Sequence, residues 1–197
     1  MDAIEGVCVQ TRAVLLQALR QRVRPCLVVN KIDRLVLEQR LDPEEAHRRL
    51  RQIVQEANAI VSEFESEVDI EMQDTFAAGA GGEGGGFRRL EFAPASGNVL
   101  FASAWDGWGF DVARFAGLYS EKLGCRREAL QRALWGDFYF DPKRKKILKK
   151  AELAGRKPLF VQMVLEPLWQ VYGALELEDA AEFAARIGKL GARLGLG

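Results

Sequence analysis

The chain alternates between apolar stripes of helical period and short apolar runs of strand length. Val9 to Arg22 places Ala13, Leu16 and Leu19 on one side, the spacing of a half-buried helix. Arg24-Pro25-Cys26-Leu27-Val28-Val29 follows, and its apolar run ends in β-branched residues. Such a run, without polar alternation, predicts a strand buried on both faces, as in a parallel sheet. Asp42-Pro43-Glu44-Glu45 marks a helix start. Asp42 is placed to cap, Pro43 has the fixed φ of a first helical residue, and Glu45 completes a capping box. Beyond it, Ala46, Leu50, Ile53, Ala57 and Ile60 recur on one stripe. His47 lies off that stripe, beside Arg48 and Arg49, and is expected on the exposed face. Helix, strand, helix is the rhythm of an α/β fold.

Residues 62–97 break the rhythm. Between Ser62 and Phe92 eight acids stand against Arg88 and Arg89, and the centre is a glycine tract from Gly79 to Gly86. Such a composition cannot bury enough surface to offset its ordering entropy, so a disordered acidic insertion is expected here. The tract lacks the GxxxxGK[ST] pattern of a phosphate loop and reads as a linker.

From residue 98 the fold resumes. Asn98-Val99-Leu100-Phe101-Ala102-Ser103 is a second strand candidate. Helices are predicted over Asp111–Lys122, with Phe115, Leu118 and Tyr119 inward, and over Arg126–Trp135. Phe138 to Leu148 reads as a hairpin around a basic turn. Leu159 to Leu177 has a helical pattern carrying Pro167, which predicts a kink. The glycine-spaced stretch Ile187 to Gly197 is expected to fray. The domain reading is therefore 1–61, an acidic insertion at 62–97, 98–178, and a tail at 179–197.

Composition narrows the classes. Lys plus Arg and Asp plus Glu are 28 each among 197 residues, so the formal charge is zero. That balance argues against a protein that coats nucleic acid, though not against a local basic patch. No apolar run approaches the length of a membrane span. Met1 to Gln10 holds two acids and no Lys or Arg, unlike a secretion signal. Three scattered cysteines and one histidine predict neither structural zinc nor a disulfide framework, and fit a reducing, cytosolic setting.

The sharpest chemistry lies directly after the first strand, at Asn30-Lys31-Ile32-Asp33. NKxD in that place suits a guanine-reading loop. Guanine presents N1–H and the exocyclic N2 amine as adjacent donors, and the acceptor-only carboxylate of Asp33 can take both. Adenine would leave that carboxylate unpaired, at a cost of about a thousandfold in affinity. Asn30 is placed to reach the other side of the base and to tether neighbouring loops, and the aliphatic stem of Lys31 to lie over one ring face. Turns rich in Asn, Lys and Asp follow many strands, so the motif gains its weight from a second loop. That loop is Ser103-Ala104-Trp105, after the second strand. Its small residues let backbone N–H groups approach the guanine O6, and Ser103 can brace the turn. Trp105 has two readings: cover for the second face of the base, or a rim tryptophan packed on Trp108 and Phe110. Both loops fall at carboxyl ends of strands, where α/β sheets bind ligands.

These segments resemble the ribosomal translocase class of GTPases. Asp2 to Thr11 is similar to the stretch after that class's switch II, Leu27 to Arg34 to its base-specificity loop, and Gly97 to Phe110 to its second guanine loop. Leu134 to Phe140 and Lys157 to Gln162 also fit. Within the class, the form Ser103-Ala104-Trp105-Asp106-Gly107-Trp108-Gly109-Phe110 and the acidic insertion resemble the elongation factor-like branch that acts in cytoplasmic ribosome assembly. The resemblance implies the last strands and helices of a mostly parallel sheet, a partial P-loop-type GTPase domain, extended by helices and a hairpin. It implies GTP or GDP on Asn30, Lys31, Asp33, Ser103, Ala104 and Trp105, with Mg2+ only in the intact protein. The partners it implies are the 60S ribosomal subunit and its rRNA, the Shwachman–Bodian–Diamond syndrome protein and the anti-association factor, with no membrane.

No P-loop, switch threonine or DxxG occurs in these residues. The expectation is a carboxyl-side portion of a GTPase domain, inactive in hydrolysis by itself and carrying no catalytic residue, with an apolar sheet edge exposed. Other readings are a fragment of the translocase itself, a non-catalytic ribosome-binding scaffold, and an unrelated α/β binding protein. Eight basic residues between Lys143 and Lys157 stand against Glu152. Lys143, Arg144, Lys145 and Lys146 are the candidates for rRNA phosphate contact, with a solvated hairpin or pairing to the acidic insertion as the alternatives.

Overall fold

The computed structural model describes residues 1–77, 90–141, 146–149, 157–177 and 179–194. Its sheet has three strands in the order β1 (Leu27–Val29), β2 (Val99–Ser103), β3 (Trp108–Phe110). β1 and β2 run parallel, with Leu27 opposite Val99 and Val29 opposite Phe101. β2 and β3 run antiparallel, with Phe101 opposite Phe110. The expected mostly parallel sheet is thus mixed among the described residues. On the other edge of β1 the backbone of Met1 to Ala3 adds a short parallel pairing: Asn30 N–H donates to Met1 O at 2.7 Å and Ala3 N–H to Asn30 O at 2.9 Å.

β1 is not buried on both faces. Leu27 and Val29 are buried while Val28 is 40% exposed, because no described layer covers that face. The neighbouring helix α1 (Val9–Arg20) buries Leu19 as predicted, but Leu15 rather than Ala13 joins it inside, Leu16 is half-buried, and Ala13 and Val14 face solvent.

Helix α2 (Ile32–Leu37) follows β1, and α3 spans Pro43–Ala77. The α3 start is the predicted capping box. Asp42 Oδ1 accepts from the N–H groups of Glu44 and Glu45 at 2.8 Å each, and Glu45 Oε2 accepts from Asp42 N–H at 3.0 Å. Ala46, Leu50, Ile53, Ala57 and Ile60 are all buried. His47 is not on the exposed face. It is 3% exposed, stacked on Phe160 at 5.3 Å and edge-on to Trp135 at 5.6 Å.

The acidic segment departs from expectation at both ends. Ser62 to Ala77 is helical, the continuation of α3, which carries its apolar stripe through Phe64. Leu90 to Asn98 is strapped back onto that helix. Asn58 makes two bonds to Phe92, donating to its carbonyl at 2.9 Å and accepting from its N–H at 2.7 Å. Leu90 N–H donates to Glu65 at 2.8 Å. The glycine tract lies outside the described residues.

Beyond β3, α4 (Val112–Leu123) is capped by Asp111, and α5 (Arg127–Trp135) packs on it. The hairpin forms as expected from β4 (Phe138–Asp141) and β5 (Lys146–Lys149). Lys143, Arg144 and Lys145 lie outside the described residues. Lys146 opens β5, and its backbone alone is placed.

Val161–Leu165 forms a π-helical turn that leads into α6 (Glu166–Leu175). Pro167 has no N–H to give the carbonyl four residues back, and a widened turn accommodates that loss. α7 (Ala180–Leu194) then packs on α6, so Ile187 to Leu194 is helical rather than frayed. Phe101, Leu50, Ile53, Leu130, Leu134 and Phe160 centre the core between α3, the sheet and α5. No helix among the described residues is long and apolar enough to cross a membrane.

Candidate functional site

The parallel pairing of β1 with β2 brings the loops after both strands side by side. Asn30 joins them. Its Oδ1 accepts from its own neighbour Lys31 N–H at 2.8 Å and from Ala104 N–H, 74 residues away, at 2.9 Å. One side-chain oxygen therefore fixes the relative position of the two loops. The Ala104 N–H that the sequence offers to a base carbonyl is engaged by Asn30 in this arrangement.

Lys31 adopts the left-handed conformation, φ +65°, which reverses the chain between β1 and α2. Its ammonium pairs with Asp2 Oδ2 at 2.9 Å. Asp2 also accepts from Arg34 at 3.2 Å and from the N–H of Ile4 at 2.8 Å. Burial pushes the Asp2 carboxyl up, but Lys31 and the backbone N–H groups of Ile4 and Glu5 outweigh it and hold it below its ordinary value. Asp2 is thus an anchor for the lysine of the NKxD loop. The turn behind it is held by Arg49, whose guanidinium donates to Ala3 O at 3.1 Å and to Ile4 O.

Asp33 sits in the first turn of α2 and is 7% exposed. Its Oδ1 is buried and has no hydrogen-bond partner in the protein. A buried carboxylate oxygen without a donor is costly, and a ligand offering N–H groups relieves that cost. The orphaned oxygen calls for an N–H donor, and a guanine edge supplies one, so the residues present fit a guanine nucleotide.

The second loop is built around Ser103, which is fully buried at the end of β2. Its Oγ donates to Asp106 Oδ2 and accepts from Asp106 N–H, both at 3.1 Å. Trp105 is 92% exposed. The reading that packs it on Trp108 and Phe110 fails, because those two rings stack on each other at 5.9 Å and leave Trp105 outside. The structure thus gathers Asn30, Lys31, Asp33, Ser103, Ala104 and Trp105 on two adjoining loops.

Three contributors escaped the sequence reading. Asp2 and Asp106 lay inside recognised segments, but nothing in their spacing showed which side chain each would meet. Tyr172, on α6, donates from its hydroxyl to Asp106 and accepts from Trp108 Nε1–H at 3.0 Å. Burial, and then the bond to Asp106, pushes its hydroxyl well above the ordinary tyrosine range. No local signal could tie it to a loop 66 residues earlier. Among the described residues, no group of three or more acidic, histidine or cysteine side chains is placed to hold a metal ion.

Known proteins are similar to this chain in sequence over most of its length. The family described as elongation factor Tu GTP binding domain matches residues 1–172. Elongation factor-like GTPase 1 of Mus musculus is 41% identical over 212 residues, covering 99% of this chain and 19% of the relative. The Homo sapiens protein of the same name is 40% identical over the same span. Ribosome assembly protein 1 of Schizosaccharomyces pombe is 46% identical over 174 residues, covering 87% of this chain and 17% of the relative. The chain spans about a fifth of the length of the curated relatives it matches.

Proposed function

The chain belongs to the elongation factor Tu GTP-binding domain family, and from that premise we propose that the loops after β1 and β2 form the base pocket of a ribosome-assembly GTPase. The observation that carries the reading is the buried, unpartnered Oδ1 of Asp33 beside the Asn30 clasp. Asp33 takes N1–H and the N2 amine of guanine. Asn30 holds both loops at the distance the base requires and turns its amide toward it. The Lys31 stem lies over one ring face while its ammonium stays on Asp2, and Trp105 covers the other face. The Ser103–Ala104 turn meets O6, where a bound base competes with Asn30 for the Ala104 N–H.

GTP or GDP is the ligand of this pocket, and in the intact protein Mg2+ serves the phosphates. The likeness to proteins named for ribosome assembly supports a role on the cytoplasmic pre-60S subunit. There the intact protein contacts rRNA and works with the Shwachman–Bodian–Diamond syndrome protein to release the anti-association factor.

Asp33→Ala in the full-length natural polypeptide tests the pocket. Its GDP affinity should fall about a thousandfold, the cost of two unmet donors on the base. Undiminished binding would show that the base lies elsewhere.

A further inference from the structure

The second guanine loop is exposed from Ala104 through Gly107, yet it is tied at its root to an element far along the chain. Asp106 Oδ2 accepts from two donors, Ser103 Oγ at 3.1 Å and the Tyr172 hydroxyl. The Tyr172 oxygen in turn accepts from Trp108 Nε1–H at 3.0 Å. Tyr172 is 4% exposed and Ser103 is fully buried, so this chain of bonds runs from the core of α6 to the start of the loop. Tyr172 also feels the charge of Asp33 on the other loop.

We infer that Tyr172 is a positioning residue for base recognition: through Asp106 its hydroxyl holds the Ser103–Trp105 loop in the form that receives the base. The inference rests on the base-pocket reading above. Packing of α6 requires the ring of Tyr172 and its neighbours, and a phenylalanine supplies that ring. The hydroxyl has a different task. It is the donor that fixes the Asp106 carboxylate, and Asp106 in turn fixes Ser103 by two bonds. Without it the carboxylate keeps the Ser103 bond but loses its anchor to the body of the domain. The loop then samples other forms, and the base binds only the competent fraction. The geometry also couples base binding to the seating of α6, an element that lies outside the two recognition loops.

The test uses the full-length natural polypeptide with Tyr172→Phe, Asp106→Ala, the double variant and Asp33→Ala. GDP and IDP dissociation constants are measured together with thermal melting in the absence of nucleotide. IDP lacks the N2 amine but keeps O6. Loss of the Tyr172–Asp106 link, which both single variants break, should weaken GDP by about 5- to 20-fold in either. IDP should weaken by the same factor, because the Asp33 edge is untouched. The double variant should bind no more weakly than the worse single one, as expected of groups acting in one bridge. A merely structural hydroxyl would lower the melting temperature and leave both constants within twofold, and that result overturns the inference. Additive losses in the double variant would also overturn it. If Tyr172→Phe does not fold, Asp106→Ala, on the exposed loop, decides by the same GDP and IDP criteria. Wild-type protein that fails to bind GDP, or undiminished binding by Asp33→Ala, would remove the base pocket itself. Crippled Asp33→Ala with unaffected Tyr172→Phe would remove this inference alone.

Discussion

His47 shows how a single side chain can reverse its reading once packing is known. By sequence it stands beside Arg48 and Arg49, off the apolar stripe; in the fold its ring meets Phe160 and Trp135. Burial, and then the charge of Arg51, lowers its pKa to about 4 against an ordinary 6.5, with Asp137 opposing in part. The unfolded chain therefore binds the proton more tightly than the folded one. Stability from the neutral imidazole is complete above about pH 6.5 and is lost as pH falls through about 4. The loss is on the order of 3 kcal/mol. Denaturant melts between pH 4 and 7 should show this slope, and His47→Leu should flatten it; an equal slope in the variant would assign the acid sensitivity to other groups. The chemistry-bearing residues were more legible. Asn30, Lys31 and Asp33 follow a strand in a fixed order, so their shared place on one loop could be read, and donor–acceptor logic supplies the roles proposed for them. Their supports were not legible, because Asp2 and Tyr172 reach the loops through pairings that depend on the tertiary fold.

At the scale of the element, α3 carries most of the scaffold. Its start and its apolar stripe could be read from Asp42 to Ile60, since capping and period 3.6 are local properties. Its end could not. The acids from Glu63 onward suggested that the helix stops, but charged residues are good helix formers, and the stripe continues through Phe64. The turn at Gly6 is a second case. Gly6 has φ +75°, and a Cβ there would meet the Arg49 guanidinium at 2.8 Å, the group that ties the turn to α3. Gly6→Ala should destabilise the fold by about 1–2 kcal/mol, from the left-handed strain and the displaced arginine. Chemical denaturation would register it as a lower midpoint at unchanged slope. An unchanged midpoint would mean that the turn relaxes freely.

At the scale of the molecule, one parallel strand pair with helices around it makes a platform for two loops. The α/β class and the order of the two strands followed from apolar runs separated by helical stripes. The antiparallel β3 did not, because Trp108–Phe110 is short and sits among turn residues. Exposure of Val28 and Val14 beside β1 likewise reflects which layers surround the sheet, a property no local pattern encodes. On the proposed reading, specificity rests on the Asp33 carboxylate, its buried Oδ1 without a partner in the protein, set against a base with two adjacent donors. Xanthine replaces the guanine amine with a carbonyl, so an amide at position 33 matches it and a carboxylate does not. Titrating GDP and XDP against wild-type full-length protein and its Asp33→Asn variant is the most direct measurement. The account predicts preference for GDP in the wild type and for XDP in Asp33→Asn, each by at least about a hundredfold. A variant that keeps the wild-type preference would contradict it.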